Sequence, residues 1–510
     1  MSHRGPCDEE NLLADYEEDK GVFESLLEYI PLNFWEHHAE QTNLYSVQER
    51  NLKSVNTNAE EMLHLAGIHV VMGVLGFPQA KLYWQRDTEV PIISKCMTRD
   101  RFFQLRNFMH FVNNEGEHEE KLWKVKPFLD CVKQKCLTLP RSLHVSLDEQ
   151  MVPFSGKCGI LSYVPSKPNP LGLKCFVLAA PDGLVLDFMF YVGTGTVSNE
   201  DMKEYGLGAS VVKILSESIP KGKMHCIYTD RFFTSIKSID LLLQNNIFQT
   251  GTVMKNRIGP IVDKLKTDRQ LKRGEWDEWV RNDDKVCLIK WKDNKSVLLL
   301  SSCVGSEPST TCKRWSKGDK KKVDIPQPRV VKLYNEKMGG VDLCDRYMSY
   351  YRCYIRTRKW TVRLFNHFVD LVIVNCWIMY TRWCASNHIS KQKRMSLMDY
   401  KMHMGKAMIN YKTSVETAPR RGRPRISNPE SEDSDNEEEM RLKKPRRVLF
   451  PPIQEVRYDN IGHLPRFVEA KNASKCRNPG CKSKTRVMCT KCMMYLCIMK
   501  NNCFQSYHSK

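Results

Sequence analysis

The sequence predicts an α/β protein: a mixed sheet covered by helices, set between two helical blocks and followed by a small cysteine-rich module. Three observations carry this reading. Between residues 143 and 254, short β-branched or aromatic segments punctuated by Gly, Pro and Asp read as strands. The flanks, 22–142 and 348–415, place apolar residues at three- and four-residue spacing, as helices do. Six of the 20 cysteines fall in the last 35 residues.

In chain order, residues 1–21 form an acidic tail; nine acids against two bases lie in the first 30 residues. A helical start follows at "VFESLLEYI", and "AEEMLHLAGIHVVMGVLG" and "DRFFQLRNFMHFV" continue the helical pattern up to "LPR" near residue 142. The strands are then "LHVSLD" (143–148), "GLKCFVLAA" (172–180), "GLVLDFMFYV" (183–192), "MHCIYTD" (224–230) and "FQTGTV" (248–253). Helices are expected at "ASVVKILSESI" and "FTSIKSIDLLLQN", giving the order β-β-β-α-β-α-β and an α/β sheet. Residues 255–330, with 19 basic and 11 acidic residues, read as a basic insertion suited to an anionic partner. A last helix of the sheet domain spans 331–347, and the second helical block includes 360–412. The apolar stretch 365–384 carries His, two Asn, Asp and Arg, and reads as a buried helix with no membrane role. Residues 416–470 form a polar linker, and 471–510 the cysteine-rich module.

With 79 Lys and Arg against 59 Asp and Glu, the net charge is +20, which favours a polyanionic partner. A hydrophobic content of 41% supplies a core and excludes a wholly disordered chain. The opening residues lack the apolar segment of a secretory signal, so a reducing compartment and metal-bound thiolates are expected in place of disulfides.

Asp148 ends the first strand and Asp230 the fourth. If those strands pair, both carboxylates leave the same edge of the sheet. Asp342 and Asp345, at i and i+3, share the side of a later helix. Any one of these is an ordinary turn or capping residue. Together they would repel one another unless a divalent cation neutralised them, and Mg²⁺ (or Mn²⁺) prefers such oxygen ligands. Two such ions serve phosphodiester chemistry. The Gly339–Gly340 pair is expected to give the tight turn into that helix. Arg346, Arg352, Arg356, Arg358 and Arg363 follow it, where a DNA backbone would run.

The chain resembles the piggyBac-type DNA transposases and their host-domesticated derivatives. The resemblance rests on "EQTNLYS", "MTRDRFFQLRNFMHFVNN", "SLDEQMVPFSGK", "YTDRFFTS", "YNEKMGGVDLCDRYMSYY" and "LCIMKNNCFQSYH" and runs from about residue 22 to the C-terminus. It implies an RNase H-like catalytic domain inserted in a split helical dimerisation and DNA-binding domain. It also implies a Mg²⁺-dependent DDE/D-type enzyme in which Asp148, Asp230 and Asp342 are the triad and Asp345 a fourth carboxylate. Cut-and-paste transfer at TTAA targets through hairpinned ends, transposon-end DNA as partner and a homodimer are likewise implied. The runner-up is a domesticated nuclear DNA-binding protein without catalysis.

The tail series Cys476-x4-Cys481-x7-Cys489-x2-Cys492-x4-Cys497-x5-Cys503-x4-His508 has the spacing of Zn²⁺ ligands, with nine bases and no acid in 471–510. The resemblance implies a crossed module in which Cys489, Cys492, Cys503 and His508 share one ion. Cys476, Cys481 and Cys497 then lack a fourth ligand. In the linker, "RGRP" with Arg421 and Arg423 has the form of an AT-hook core. "KKPRR", with Lys443, Lys444, Arg446 and Arg447, reads as a nuclear import signal. An acidic-serine run, "ESEDSDNEEE", separates them.

Overall fold

The computed structural model describes residues 21–412 and 457–509, except 51–53, 117, 166, 168, 222, 355, 459–462, 470, 471, 500 and 501. The acidic tail, the AT-hook arginines Arg421 and Arg423 and the import lysines and arginines (443–447) therefore lie outside the described residues. The chain divides into two units, one up to residue 420 and one from 421.

The first unit opens with helices α1 (Val22–Leu27), α2 (Leu32–Arg50), α3 (Ala59–Leu75), α4 (Pro91–Cys96), α5 (Arg99–Phe108) and α6 (Lys126–Thr138). Local chemistry sets their ends. The Asn58 and Thr98 side chains accept the N–H groups of Glu61 and Arg101 at the starts of α3 and α5, and Pro91 opens α4. Gly76, at φ 66°, closes α3 in the left-handed conformation.

The sheet comprises β1 (His144–Pro153), β2 (Leu161–Tyr163), β3 (Leu171–Ala179), β4 (Val185–Phe190), β5 (His225–Thr229) and β6 (Ile247–Thr252). Helices α7 (Asn199–Glu204) and α8 (Gly206–Ser216) precede β5, and α9 (Ile236–Gln244) connects β5 to β6. β1 is antiparallel to β3 and parallel to β5, and β5 is parallel to β6. The expected pairing of the first and fourth sequence strands is thus present. β1 runs five residues past Asp148, because β3 pairs with it from Ser146–Ala179 to Pro153–Gly172.

The expected insertion is continuous with this sheet. β7 (Trp276–Val280), β8 (Cys287–Lys292) and β9 (Ser296–Ser301) join through the antiparallel β6–β9 pair, giving nine strands in all. A separate hairpin, β10 (Thr310–Ser316) and β11 (Lys321–Gln327), leads to α10 (Arg329–Lys337), α11 (Gly340–Tyr350), α12 (Trp360–Ser386) and α13 (Leu397–Asn410).

The two helical blocks share one core. The ring of Phe365 of α12 lies tilted 4.7 Å from Phe128 of α6 and 5.5 Å from Phe111, and Trp35 meets it edge-on. α12 is long and apolar enough to cross a membrane by composition, yet 83% of its most apolar window is buried inside the protein. It also holds the sheet edge: the Asn375 amide donates to Val185 O and accepts from Val185 N, both at 2.9 Å, satisfying backbone groups that open β4. Arg382 then grips Asp182 through two 2.7 Å hydrogen bonds.

The second unit is built on β12 (Pro465–Phe467), β13 (Ser474–Lys475), β14 (Lys484–Thr485), β15 (Val487–Cys489) and α14 (Cys503–His508). β12 pairs with β15 and β13 with β14, both antiparallel. Its core is six cysteines with Met494, Leu496 and Tyr507, too little apolar surface to fold so short a unit without cross-links.

Candidate carboxylate centre and cysteine–histidine module

Parallel strands β1 and β5 stay in register only up to Leu147–Thr229. Asp148 and Asp230 are the next residue on each, so both stand at the point where the strands part, beyond the carboxyl ends of a parallel pair. Each is held by local backbone. Asp148 Oδ1 accepts from Glu149 N at 2.8 Å, and Asp230 Oδ1 from Phe232 N at 2.8 Å.

α11 brings the other two carboxylates. The expected tight turn into it is present, since α10 ends at Lys337 and α11 opens at Gly340, but it uses no left-handed glycine: Gly339 has φ −75°. Gly340 is required for close approach instead. A Cβ there would lie 2.3 Å from Ala180 O and 2.6 Å from Ser146 Oγ. The missing side chain lets α11 settle against β1, with Asp342 exposed and Asp345 half-buried.

The electrostatics of this cluster are those of crowded acids. Burial, then the charges of Asp230 and Asp342, pushes Asp148 up to about 7 against the countering charge of Lys167. Burial also raises Asp230, and it lifts Asp345 to about 6. Tyr334 of α10 feels the charges of all three of Asp148, Asp230 and Asp342, and burial drives its phenol up to about 12.

Three further groups that the sequence does not assign to the centre join it, His367 among them reading as a packing residue of an apolar helix. Lys167 donates to Glu149 O at 3.2 Å, and its charge favours the ionised forms of Asp148, Asp230 and Asp345. It sits in the proline-rich loop "VPSKPNP", which has no periodic signal. Gln150 is fully buried and donates to Asp345 Oδ1 at 2.8 Å. His367 of α12 lies 3.0 Å from Gln150 Oε1. An amide oxygen only accepts, so His367 Nε2 carries the proton and the imidazole is neutral, as its depressed pKa from burial requires. The helical block thus reaches Asp345 through a two-bond relay.

Of the arginines expected beside DNA, Arg346, Arg356 and Arg358 are exposed. Arg363 is not placed that way: burial lowers its pKa, and its guanidinium donates to Cys353 O at 3.3 Å. Arg352 is half-buried, with its charge felt by Asp345 and its buried Nε lacking a hydrogen-bond partner among the described residues.

The cysteine-rich unit holds two sets of four ligand atoms, each set within 4.8 Å: Cys476, Cys481, Cys497 and Cys503, and His463, Cys489, Cys492 and His508. This corrects the expected grouping of Cys503 with Cys489, Cys492 and His508. Cys503 and His508 are five residues apart on α14, about 140° around a helix of 3.6 residues per turn, so they serve opposite sides. His463 lies upstream of the expected module boundary at 471, and the antiparallel Pro465–Cys489 pairing folds it back.

Both sets fit Zn²⁺. The Cys481–Cys497 sulfur separation of 3.8 Å matches the edge of a tetrahedron with bonds of about 2.3 Å. His463 Nδ1 is 3.4 Å from the sulfurs of both Cys489 and Cys492. His508 Nδ1 donates to Phe504 O at 2.7 Å, which leaves its buried Nε2, without a hydrogen-bond partner among the described residues, to bind a cation. Burial and neighbouring thiols push Cys492 and Cys497 up to about 12, a repulsion that a bound cation removes. All 19 described cysteines are free of disulfides.

A mixed sheet with acids beyond its central parallel strands, wrapped by a split helical block and followed by a thiol-rich module, defines a transposase-type architecture. The Transposase IS4 family matches residues 19–377, and the chain belongs to that family, in its piggyBac-like branch. It is 28% identical over 480 residues to human PiggyBac transposable element-derived protein 3, spanning 92% of this chain and 73% of that one. Human PiggyBac transposable element-derived protein 2 is 28% identical over 381 residues, spanning 72% of this chain and 62% of the relative. In fold, the chain is similar to a piggyBac transposase solved by cryo-EM as a synaptic complex with hairpin DNA. That likeness has a TM-score of 0.66 and 22% identity over 98% of both chains.

Proposed function

We propose that the protein is a piggyBac-like DNA transposase that cleaves and transfers DNA strands at TTAA sites, working as a nuclear homodimer with an RNase H-like catalytic domain. The observation that supports this most directly is the convergence of Asp148, Asp230, Asp342 and Asp345 on one edge of the sheet. In this reading Asp148, Asp230 and Asp342 hold Mg²⁺ (or Mn²⁺). The oxygen-only donor set suits such a cation, and the raised pKa of Asp148 is the cost of assembling the site without one. Bound there, the metal would stabilise charge on the attacking and leaving oxygens of phosphodiester exchange.

The chain's own residues then have distinct tasks. Gly340 sets the distance of α11 from β1. Gln150 and His367 fix the rotamer of Asp345. Lys167 offers positive charge to a phosphate entering between the carboxylates. Arg346, Arg356 and Arg358 hold the DNA backbone, and the zinc module recognises transposon-end DNA.

A second reading, a transposable element-derived protein that binds DNA without cutting it, is favoured by the names of the human relatives. Excision from a TTAA-flanked donor separates the two. The transposase reading expects excision by the wild type and none by Asp230→Ala at unchanged DNA affinity. Wild-type binding without any cleavage in Mg²⁺ or Mn²⁺ selects the second.

A further inference from the structure

We infer that the β10–β11 hairpin is a second DNA contact, which takes an unpaired base on the face of Trp315 and the adjoining phosphates on its lysines. The proposal rests on the DNA reading above and extends it to a hairpin that carries none of those carboxylates.

The hairpin has two unlike faces. Inward, Cys312, Val323 and Ile325 join a core that holds Trp276 and Trp291 and reaches Tyr228 of β5 and Val330 of α10. Trp291 Nε1 donates to Pro326 O at 3.0 Å, Arg314 Nε to Asp293 Oδ2 at 3.0 Å, and Arg273 Nη1 to Trp315 O at 3.3 Å. The backbone under Trp315 is therefore clamped. Outward, strand alternation presents Lys313 and Trp315 on β10, with Lys322 directly across from Trp315. The Trp315 side is 57% exposed.

Several neighbouring cations are paired: Arg273 and Arg314 with Asp293, Lys290 and Lys292 with Asp268, and Arg281 with Asp240 and Asp283. Lys313, Lys317, Lys320, Lys321 and Lys322 are all exposed and form no ion pair among the described residues. Of the two acids on the hairpin, Asp319 is occupied by the Ser316 hydroxyl at 2.7 Å, and Asp324 stands across from Lys313. A rigid hairpin with five exposed lysines against two acids, around a bare indole, matches the charge and the π-faces of a DNA strand. Stacking needs a base whose face is open, which a continuous duplex does not offer.

The test is full-length protein, loaded with zinc, binding fluorescent DNA of three kinds: blunt duplex, the same duplex with a four-nucleotide overhang, and single strand. Trp315→Ala is expected to weaken overhang and single-strand binding about tenfold and leave blunt duplex within twofold. Trp315→Phe should recover most of the loss. Lys313→Ala with Lys322→Ala should flatten the dependence of log affinity on log salt for single strand by about 1.4. Wild-type binding with unchanged affinity and slope in every variant overturns the inference and leaves the DNA reading intact. Failure of wild type to bind any of the three DNAs overturns both. Displacement by single-stranded RNA at far lower concentration than by DNA would assign the hairpin to RNA and sink the proposal.

Discussion

The two acid-and-thiol centres of this chain are built on opposite plans. The cysteine–histidine module gathers eight ligands from 46 residues into two closed sets, with sulfurs already at tetrahedral spacing. The carboxylate centre gathers four oxygen donors from nearly 200 residues and leaves it open, with Asp342 exposed and Asp148 pushed up to about 7. A closed set leaves no position for a substrate, whereas an open one does. On the proposed reading, the contrast teaches that in the module a cation would replace a missing hydrophobic core, while at the carboxylates the fold is made first and a cation would come to it.

Removing the cations should break the comparison most visibly at the module. Structural zinc contributes about 10–16 kcal/mol to folding of such units, so strong chelation is expected to unfold the second unit and spare the first. His463→Ala should take the zinc content from two ions per chain to one, since the four-cysteine set is untouched. Mass spectrometry under native conditions checks this. Two zincs retained in His463→Ala would return the fourth ligand to an unknown residue.

Much of this was legible in the sequence, for physical reasons that differ by element. Asp148 and Asp230 stood out because strand-forming runs lead into them, although β1 continues past Asp148, and the parallel pairing of those strands follows from the intervening helices. The grouping of Cys503 was not legible, because it depends on the phase of a helix only six residues long. His463 was missed because the linker composition hid the start of the module. Gln150 and His367 looked like ordinary strand and helix residues, since a buried polar pair has no periodic signature. The continuity of 255–330 with the sheet was hidden too: "VCLIKW" and "SVLLLS" look like strands, but β9 pairs with β6 across a segment that holds two short helices and strands β7 and β8, a pairing no local pattern announces.

The relay to Asp345 sharpens the comparison at the open centre. Groups that orient a metal-binding side chain are each worth about 10- to 100-fold in affinity or activity. Gln150→Leu should lower cleavage by that factor and raise the Mn²⁺ concentration needed for half-maximal rate, with DNA affinity unchanged. Gln150→Asn, which shortens the relay, should fall between. Cleavage by Gln150→Leu at the wild-type rate and metal requirement would reduce the relay to packing.

The smallest effect tests whether the open centre is strained without its cation. Asp148 has an ordinary value of 3.8 and is raised to about 7 in the fold, with Asp345 to about 6 and Asp230 also raised, all chiefly by burial. Between these values the folded metal-free protein binds protons that the unfolded chain has released, so stability falls as pH rises. The loss begins near the ordinary carboxylate value, is complete once pH passes the folded value of Asp148, and does not grow beyond it. Asp148→Asn removes the largest share of that loss. In chelator-treated protein it should melt a few degrees above wild type at pH 8 and at the same temperature at pH 4. Mg²⁺ should reverse the order, since it stabilises wild type at pH 8 and has little to hold in the variant. Chelation is expected to leave the zinc module unfolded, and following the tryptophans, all ten of which precede residue 421, keeps it out of the comparison. A wild type as stable at pH 8 as at pH 5 in chelator would mean the carboxylates relax apart, and the site would then be assembled by its cation just as the module is.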